Sequence, residues 1–163
     1  MYDLSEEVVQ LLGATNKKQW KLCFVLSKDE CVLDWQDTLK QSLIAGCDCV
    51  QVREKNISTK ELLAHTREVK QITNKYGAQV ILNDRIDVAL AAGVSGVHLG
   101  KQDMPIRDAR KICGPEFIIG ATAHTSEKIK ASVSLGADYI GVGSMFVSTT
   151  KPDAKVAPLG LLK

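Results

Sequence analysis

From residue 22 onward, short apolar runs alternate with amphipathic stretches. The runs predict strands over 22–26, 49–52, 80–82, 96–99, 117–121 and 139–142. Helices are predicted between them. One spans 33–45 and stops at Gly46. The next opens on Ser58-Thr59-Lys60-Glu61, a capping-box pattern, and buries Leu62, Leu63, Val69 and Ile72 before ending near Tyr76-Gly77. A third covers 86–92 and ends at Gly93. Pro105 opens a fourth as its first helical residue. The fifth covers 126–135 and ends at Gly136. A further helix is predicted within 1–19, with Leu4, Val8, Leu11 and Leu12 at helical spacing and Ser5 as candidate cap.

The strands are short and lack polar alternation, which implies a parallel sheet covered on both faces. A weak repeat agrees. Ala45-Gly46-Cys47-Asp48-Cys49-Val50-Gln51-Val52 resembles Ala92-Gly93-Val94-Ser95-Gly96-Val97-His98-Leu99, and Leu135-Gly136-Ala137-Asp138-Tyr139-Ile140-Gly141-Val142 resembles both. Each interval holds two strand–helix units, as in a barrel of βα modules. The expected fold is α/β, a TIM-type (β/α)8 barrel truncated after about six βα units. It forms one domain over 1–163, with 1–19 outside the repeat. A full barrel needs about 200 residues or more, so open strand edges are expected, to be covered by self-association in a homo-oligomer, by swapping or by a second polypeptide.

Composition narrows the class. Of 163 residues, 45% are hydrophobic and 25% charged, enough for one globular core. The net charge of +2 comes from interspersed charges and leaves no footprint for nucleic acid or a membrane surface. No apolar run reaches the roughly 18 residues a membrane span needs, and the acidic start is unlike a secretory signal. Five cysteines without a Cys-x-x-Cys exclude zinc-finger and thioredoxin-type readings. Cys23, Cys47 and Cys49 read as small buried hydrophobes, and reduced thiols fit a cytoplasmic protein.

Parallel α/β folds bind ligands where their strands end at the carboxyl side. Here strands run into Arg53-Glu54-Lys55, Asn83-Asp84-Arg85, Lys101-Gln102-Asp103, Thr122-Ala123-His124 and Ser148-Thr149-Thr150-Lys151. Asp84 and Asp103 are candidate magnesium ligands, since that ion takes one or two carboxylates and completes its shell with phosphate and water oxygens. Spacing alone equally fits Asp84 as a helix cap and Asp103 as a turn residue. Arg53, Lys55 and Lys151 form a candidate clamp for a diphosphate, or ordinary charged loops when taken singly. Asn83 suits a ligand or a turn. His65 is expected to be solvated on its helix, His98 to face a ligand or pack, and His124 to be structural. None has a nucleophile partner at recognisable spacing. Gly141-Val142-Gly143 lacks the third glycine of a dinucleotide fingerprint.

Together Gln51-Val52-Arg53-Glu54-Lys55, Asn83-Asp84-Arg85, His98-Leu99-Gly100-Lys101-Gln102-Asp103, Ala123-His124-Thr125 and Thr150-Lys151-Pro152-Asp153 resemble, in order and spacing, the motif series of the thiamine-phosphate synthase family. The resemblance implies a transferase that joins an aminopyrimidine diphosphate to a thiazole phosphate and releases pyrophosphate. It places Gln51, Val52, Arg53, Glu54, Lys55 and Asn83 on the pyrimidine diphosphate, and Asp84 and Asp103 on Mg2+. Thr122 stands where the family usually has serine. Ser148, Thr149 and Thr150 would contact the thiazole phosphate, and Lys151 the diphosphate. Ser144 and Val147 replace prolines usual in the family. Two alternatives remain: a truncated, non-catalytic diphosphate-binding relative, and a thiazole tautomerase-like isomerase. The second typically lacks the full metal and diphosphate set.

Overall fold

The computed structural model describes residues 20–143. The helix predicted within 1–19, and Ser148, Thr149, Thr150 and Lys151, lie outside the described residues. The described chain forms two compact units, one of residues 20–98 and 115–118, the other of 99–114 and 119–143.

The first unit carries β1 (Cys23–Leu26), a 3-10 turn (Lys28–Glu30), α1 (Trp35–Ile44), β2 (Cys49–Val52), α2 (Thr59–Asn74), β3 (Gln79–Asn83) and α3 (Ile86–Ala92), and most of β4 (Gly96–Leu99). These strands pair in chain order and in parallel, with Cys23 opposite Cys49, Val50 opposite Val80 and Leu82 opposite Val97. In β2, β3 and β4 consecutive residues are buried. Successive strand side chains point to opposite faces, so both faces of these strands are covered. β1 differs: Val25 is half exposed and only Leu26 is fully buried. Cys23, expected to be buried, is exposed, because among the described residues β1 has a strand neighbour on one side only. Cys47 and Cys49 are buried as expected.

The helix ends follow from local chemistry. Asp34 caps α1 by accepting from the backbone amides of Gln36 and Asp37 at 2.9 and 3.2 Å, so that helix starts at Trp35, two residues later than the apolar pattern suggests. The capping box of α2 forms: Glu61 N donates to Ser58 Oγ, and Ser58 N to Glu61 Oε2. α3 ends on Gly93 in the left-handed region, φ +65°.

The weak sequence repeat is a docking device for the loop that enters each strand. Residues Asp48, Ser95 and Asp138 occupy equivalent places, and their backbone amides donate to Leu22 O just before β1, to Val80 O in β3 and to Ile119 O in the strand preceding Asp138. The Asp48 carboxylate also accepts from the amides of Lys21 and Leu22. Asp138 does the same for the amide of Ile119 at 2.7 Å.

The second unit holds α4 (Ile106–Cys113), nearly all of β5 (Ile118–Ala123), α5 (Ser126–Ser134) and β6 (Tyr139–Val142). Pro105 is the residue before the first helical one, one place earlier than predicted. β5 and β6 are parallel, with Thr122 opposite Gly141. Arg110 of α4 ties them together: Nη2 donates to Asp138 Oδ2 at 2.6 Å and to Gly136 O at 2.7 Å, and Nη1 to Gly114 O at 2.8 Å. Among the described residues no helix is long and apolar enough to cross a membrane.

Gly96 opens β4 where a methyl group would strike the backbone carbonyl and Cβ of Ile118. Backbone cannot swing aside as a side-chain tip can. Gly96→Ala is expected to lower stability by about 1–3 kcal/mol, read as a fall in the urea midpoint with unchanged slope. An unchanged midpoint would show that the strand start yields freely.

Candidate functional site

The first unit builds a polar relay where its strands end. Gln51 on β2 stands opposite Ile81 of β3 in the ladder, and its Nε2 reaches diagonally to Asn83, two residues further along the same face of β3, donating to Asn83 Oδ1 at 2.9 Å. Asn83 Nδ2 donates to Asp84 Oδ1 at 2.6 Å. The Asp84 backbone amide donates to His98 O on β4 at 2.9 Å. Three adjacent strands are thus joined at one level, and Asp84 sits on the exposed turn that follows.

Asp84 has φ +66°, in the left-handed region. Among residues with a Cβ, Asp and Asn tolerate this best. The helix-cap role that spacing allowed is not what forms. The residue before α3 is Arg85, with no side-chain cap bond. Arg85 instead grips Asp87 through two bonds, 2.9 and 2.6 Å, and reaches Thr59 Oγ1 at 3.2 Å.

After β2 the three polar residues diverge. The Arg53 backbone amide is tied to Leu26 O at 2.9 Å, and its guanidinium lies 3.8 Å from Glu30 Oε1. Lys55 is exposed. Glu54 turns inward, its side chain 3% exposed, and accepts from Lys28 N at 2.9 Å. Val52 is wholly buried, so it offers a ligand no side-chain surface.

His65 corrects an expectation. It is not solvated on α2 but 2% exposed. Its Nε2 lies 3.2 Å from Glu54 Oε1, and its ring meets Trp35 edge-on at a centroid distance of 4.6 Å. The Glu54 approach is not aligned as a hydrogen bond, and Nδ1 has no hydrogen-bond partner. The reason lies in spacing: His65 falls three residues after Leu62 and four before Val69, on the buried stripe of α2. Burial pushes the Glu54 carboxyl up and, with the Lys28 charge, takes the His65 imidazole down to about 4. His98 is packed within β4.

In the second unit, Asp103 Oδ2 accepts from Gly100 N at 2.6 Å, and Asp103 N donates to Gly100 O at 3.3 Å, closing the turn after β4. The turn role that spacing allowed is therefore realised. Thr122 is the exposed position of an otherwise buried β5. His124 is half-buried, with Nδ1 lacking a hydrogen-bond partner.

Asp84 and Asp103 suit a hard cation in donor chemistry. Each carboxylate, taken by itself, is an oxygen donor already oriented by a neighbour, the Asn83 amide in one case and the Gly100 amide in the other. No group of three or more His, Cys, Asp or Glu among the described residues is arranged to hold a metal alone. Magnesium does not require one, because substrate phosphates and water complete its shell.

Residues 22–163 match a family model described as thiamine monophosphate synthase. The chain is 43% identical over 127 residues to a thiamine-phosphate synthase of Ruminiclostridium cellulolyticum, covering 78% of this chain and 60% of that protein. It is 46% identical over 132 residues to a thiamine-phosphate synthase of Clostridium novyi, covering 81% and 61%. A solved thiamine phosphate pyrophosphorylase from Pyrococcus furiosus superimposes with a TM-score of 0.70 at 35% identity, covering 77% of this chain and 61% of the other. The chain thus spans about three fifths of the length of these relatives. The expected TIM-type α/β fold is borne out, with six of its strands among the described residues.

The buried imidazole has a pH consequence. The unfolded chain protonates His65 near the ordinary 6.5, whereas the folded chain resists until about 4. Stability therefore falls as pH drops through that window, by about 1–3 kcal/mol. Glu54, with its raised pKa, binds its proton more tightly when folded and opposes the loss near the lower end. His65→Gln is expected to flatten the decline between pH 6.5 and 4 in urea titrations; an equally steep decline would assign it to other groups.

Proposed function

The chain belongs to the thiamine monophosphate synthase family, and we propose that it acts as a thiamine-phosphate synthase. In this reading it joins 4-amino-2-methyl-5-(diphosphooxymethyl)pyrimidine to a thiazole phosphate and releases pyrophosphate. The observation that carries the reading is the Gln51–Asn83–Asp84 relay at the carboxyl ends of β2 and β3, with Arg53 and Lys55 directly after it.

The chemistry asks little of the protein in bond-making groups. If the diphosphate leaves first, the pyrimidine retains a stabilised cationic methylene carbon, and the thiazole nitrogen attacks it. Arg53, Lys55 and Lys151 would balance the negative charge that gathers on the departing group. Gln51 and Asn83 would orient the pyrimidine diphosphate, and Thr122, Ser148, Thr149 and Thr150 would present hydroxyls to the substrates. Asp84 and Asp103 would hold Mg2+, which neutralises diphosphate charge when bound. Glu54, accepting from the Lys28 amide, would hold the loop between Arg53 and Lys55 in shape. Five free thiols support a reducing, cytoplasmic setting.

The purified chain, given both substrates and magnesium, is expected to form thiamine phosphate. No product above a no-protein control would overturn the assignment for this chain. Asp84→Asn keeps a residue suited to the left-handed turn and removes the charge. It is expected to raise the magnesium needed for half-maximal rate tenfold or more, about 1.4 kcal/mol of binding. An unaltered magnesium dependence would remove Asp84 from the metal site.

A further inference from the structure

The amino ends of β1 and β2, at the other end of these strands from Arg53 and Lys55, hold a cluster of thiols that the synthase reading does not use. Cys23 and Cys49 are direct partners in the parallel ladder. Side chains of such partners share a face, and neighbouring strands run about 4.7–4.9 Å apart, inside the Cα separation that a disulfide tolerates. Their sulfurs are 3.5 Å apart. Cys23 is exposed and Cys49 fully buried. Cys47 is turned away, its Sγ donating to Cys49 O at 2.9 Å.

We propose that Cys23 and Cys49 form a peroxide-responsive thiol pair that closes to a reversible disulfide, with Cys23 as the attacking sulfur and Cys49 as the resolving one. The roles follow from placement. Within this cluster Cys23 is the exposed thiol, whereas Cys47 and Cys49 are buried, and the Cys49 sulfur lies within reach of it. The hydrogen bond shared by the two sulfurs lowers the Cys23 thiol below its ordinary value, while the same bond and burial push Cys49 up. Burial also raises Cys47. The thiolate character that attack requires therefore concentrates on Cys23.

The steps balance. Cys23 thiolate attacks one oxygen of hydrogen peroxide, the O–O bond breaks, and hydroxide leaves and is protonated to water. The resulting sulfenic acid is attacked by Cys49, the S–S bond forms, the S–O bond breaks, and the leaving hydroxide takes the Cys49 proton. Two thiols and one peroxide become one disulfide and two waters. A metal role for the same cluster is disfavoured, since the described residues include no ligand group of three arranged for one. The proposal does not depend on the synthase reading.

The test uses the full chain, reduced, desalted and treated with a small excess of hydrogen peroxide at neutral pH. Remaining thiols are then alkylated and the protein is digested with trypsin without reductant. Cleavage after Lys21, Lys28, Lys40 and Arg53 places Cys23 in peptide 22–28 and both Cys47 and Cys49 in peptide 41–53. The expected product is 22–28 linked to 41–53, released by dithiothreitol. The link persists in Cys47→Ala and falls to background in Cys23→Ala and Cys49→Ala. In Cys49→Ala, peptide 22–28 instead gains oxygen, because the resolving thiol is gone. Far-ultraviolet circular dichroism of each variant before treatment separates lost chemistry from lost fold. Three results would overturn the proposal: a link that survives Cys49→Ala and disappears in Cys47→Ala, a link through Cys31 or Cys113, or oxygen addition to Cys23 in the unsubstituted chain without any cross-link.

Discussion

The parallel ladder between β2 and β3 is the constraint on which the polar chemistry of the first unit hangs. Its register sets Val52 opposite Leu82 and Gln51 opposite Ile81. Both strands consequently run out at one level, and the residues that follow, Arg53 on one side and Asn83-Asp84 on the other, emerge side by side. A slip by one residue would invert every side chain of a strand. Val50, Val52, Ile81 and Leu82 are all essentially buried, so the apolar core resists that slip. Burial on both faces therefore secures the placement of groups that are themselves polar.

The loops that enter the strands are built to the same end. A glycine that turns the chain, then Asp48, Ser95 or Asp138 docking on the previous strand, recurs through the molecule. In the second unit Arg110 strengthens this device by occupying the Asp138 carboxylate and two carbonyls at once. An arginine suits the task because its planar fork offers several donors in fixed directions. These loops lie at the amino ends of the strands they enter, where they dock one strand on the one before it.

Much of this architecture is legible in the sequence, for physical reasons. β2, β4, β6 and α3 occupy their expected bounds, because short, mostly apolar stretches set off by nearby glycines leave few alternatives. The capping box at Ser58 is equally local. What sequence reading misjudged depends on neighbours distant in the chain. His65 was expected in water because its helix was read as lying at the surface, although its place on the Leu62–Val69 stripe already pointed inward; what it meets there, Glu54 and Trp35, only the fold brings together. Cys23 was expected to be buried because its strand is apolar, yet exposure follows from pairing on one side only. For Asp84, spacing could not choose between capping a helix and standing on a turn, because the deciding quantity is a backbone angle.

That angle also limits which residues can replace Asp84. Most side chains are strained at φ +66°, whereas asparagine and glycine enter with little backbone penalty. One base change turns an aspartate codon into one for asparagine or for glycine. A lineage could therefore discard the negative charge at this turn in one step while retaining the strands beneath it. Within such a fold, cation-dependent chemistry would be easier to lose than the scaffold that once displayed it, and descendants with intact strands and a neutral turn would be the expected relics.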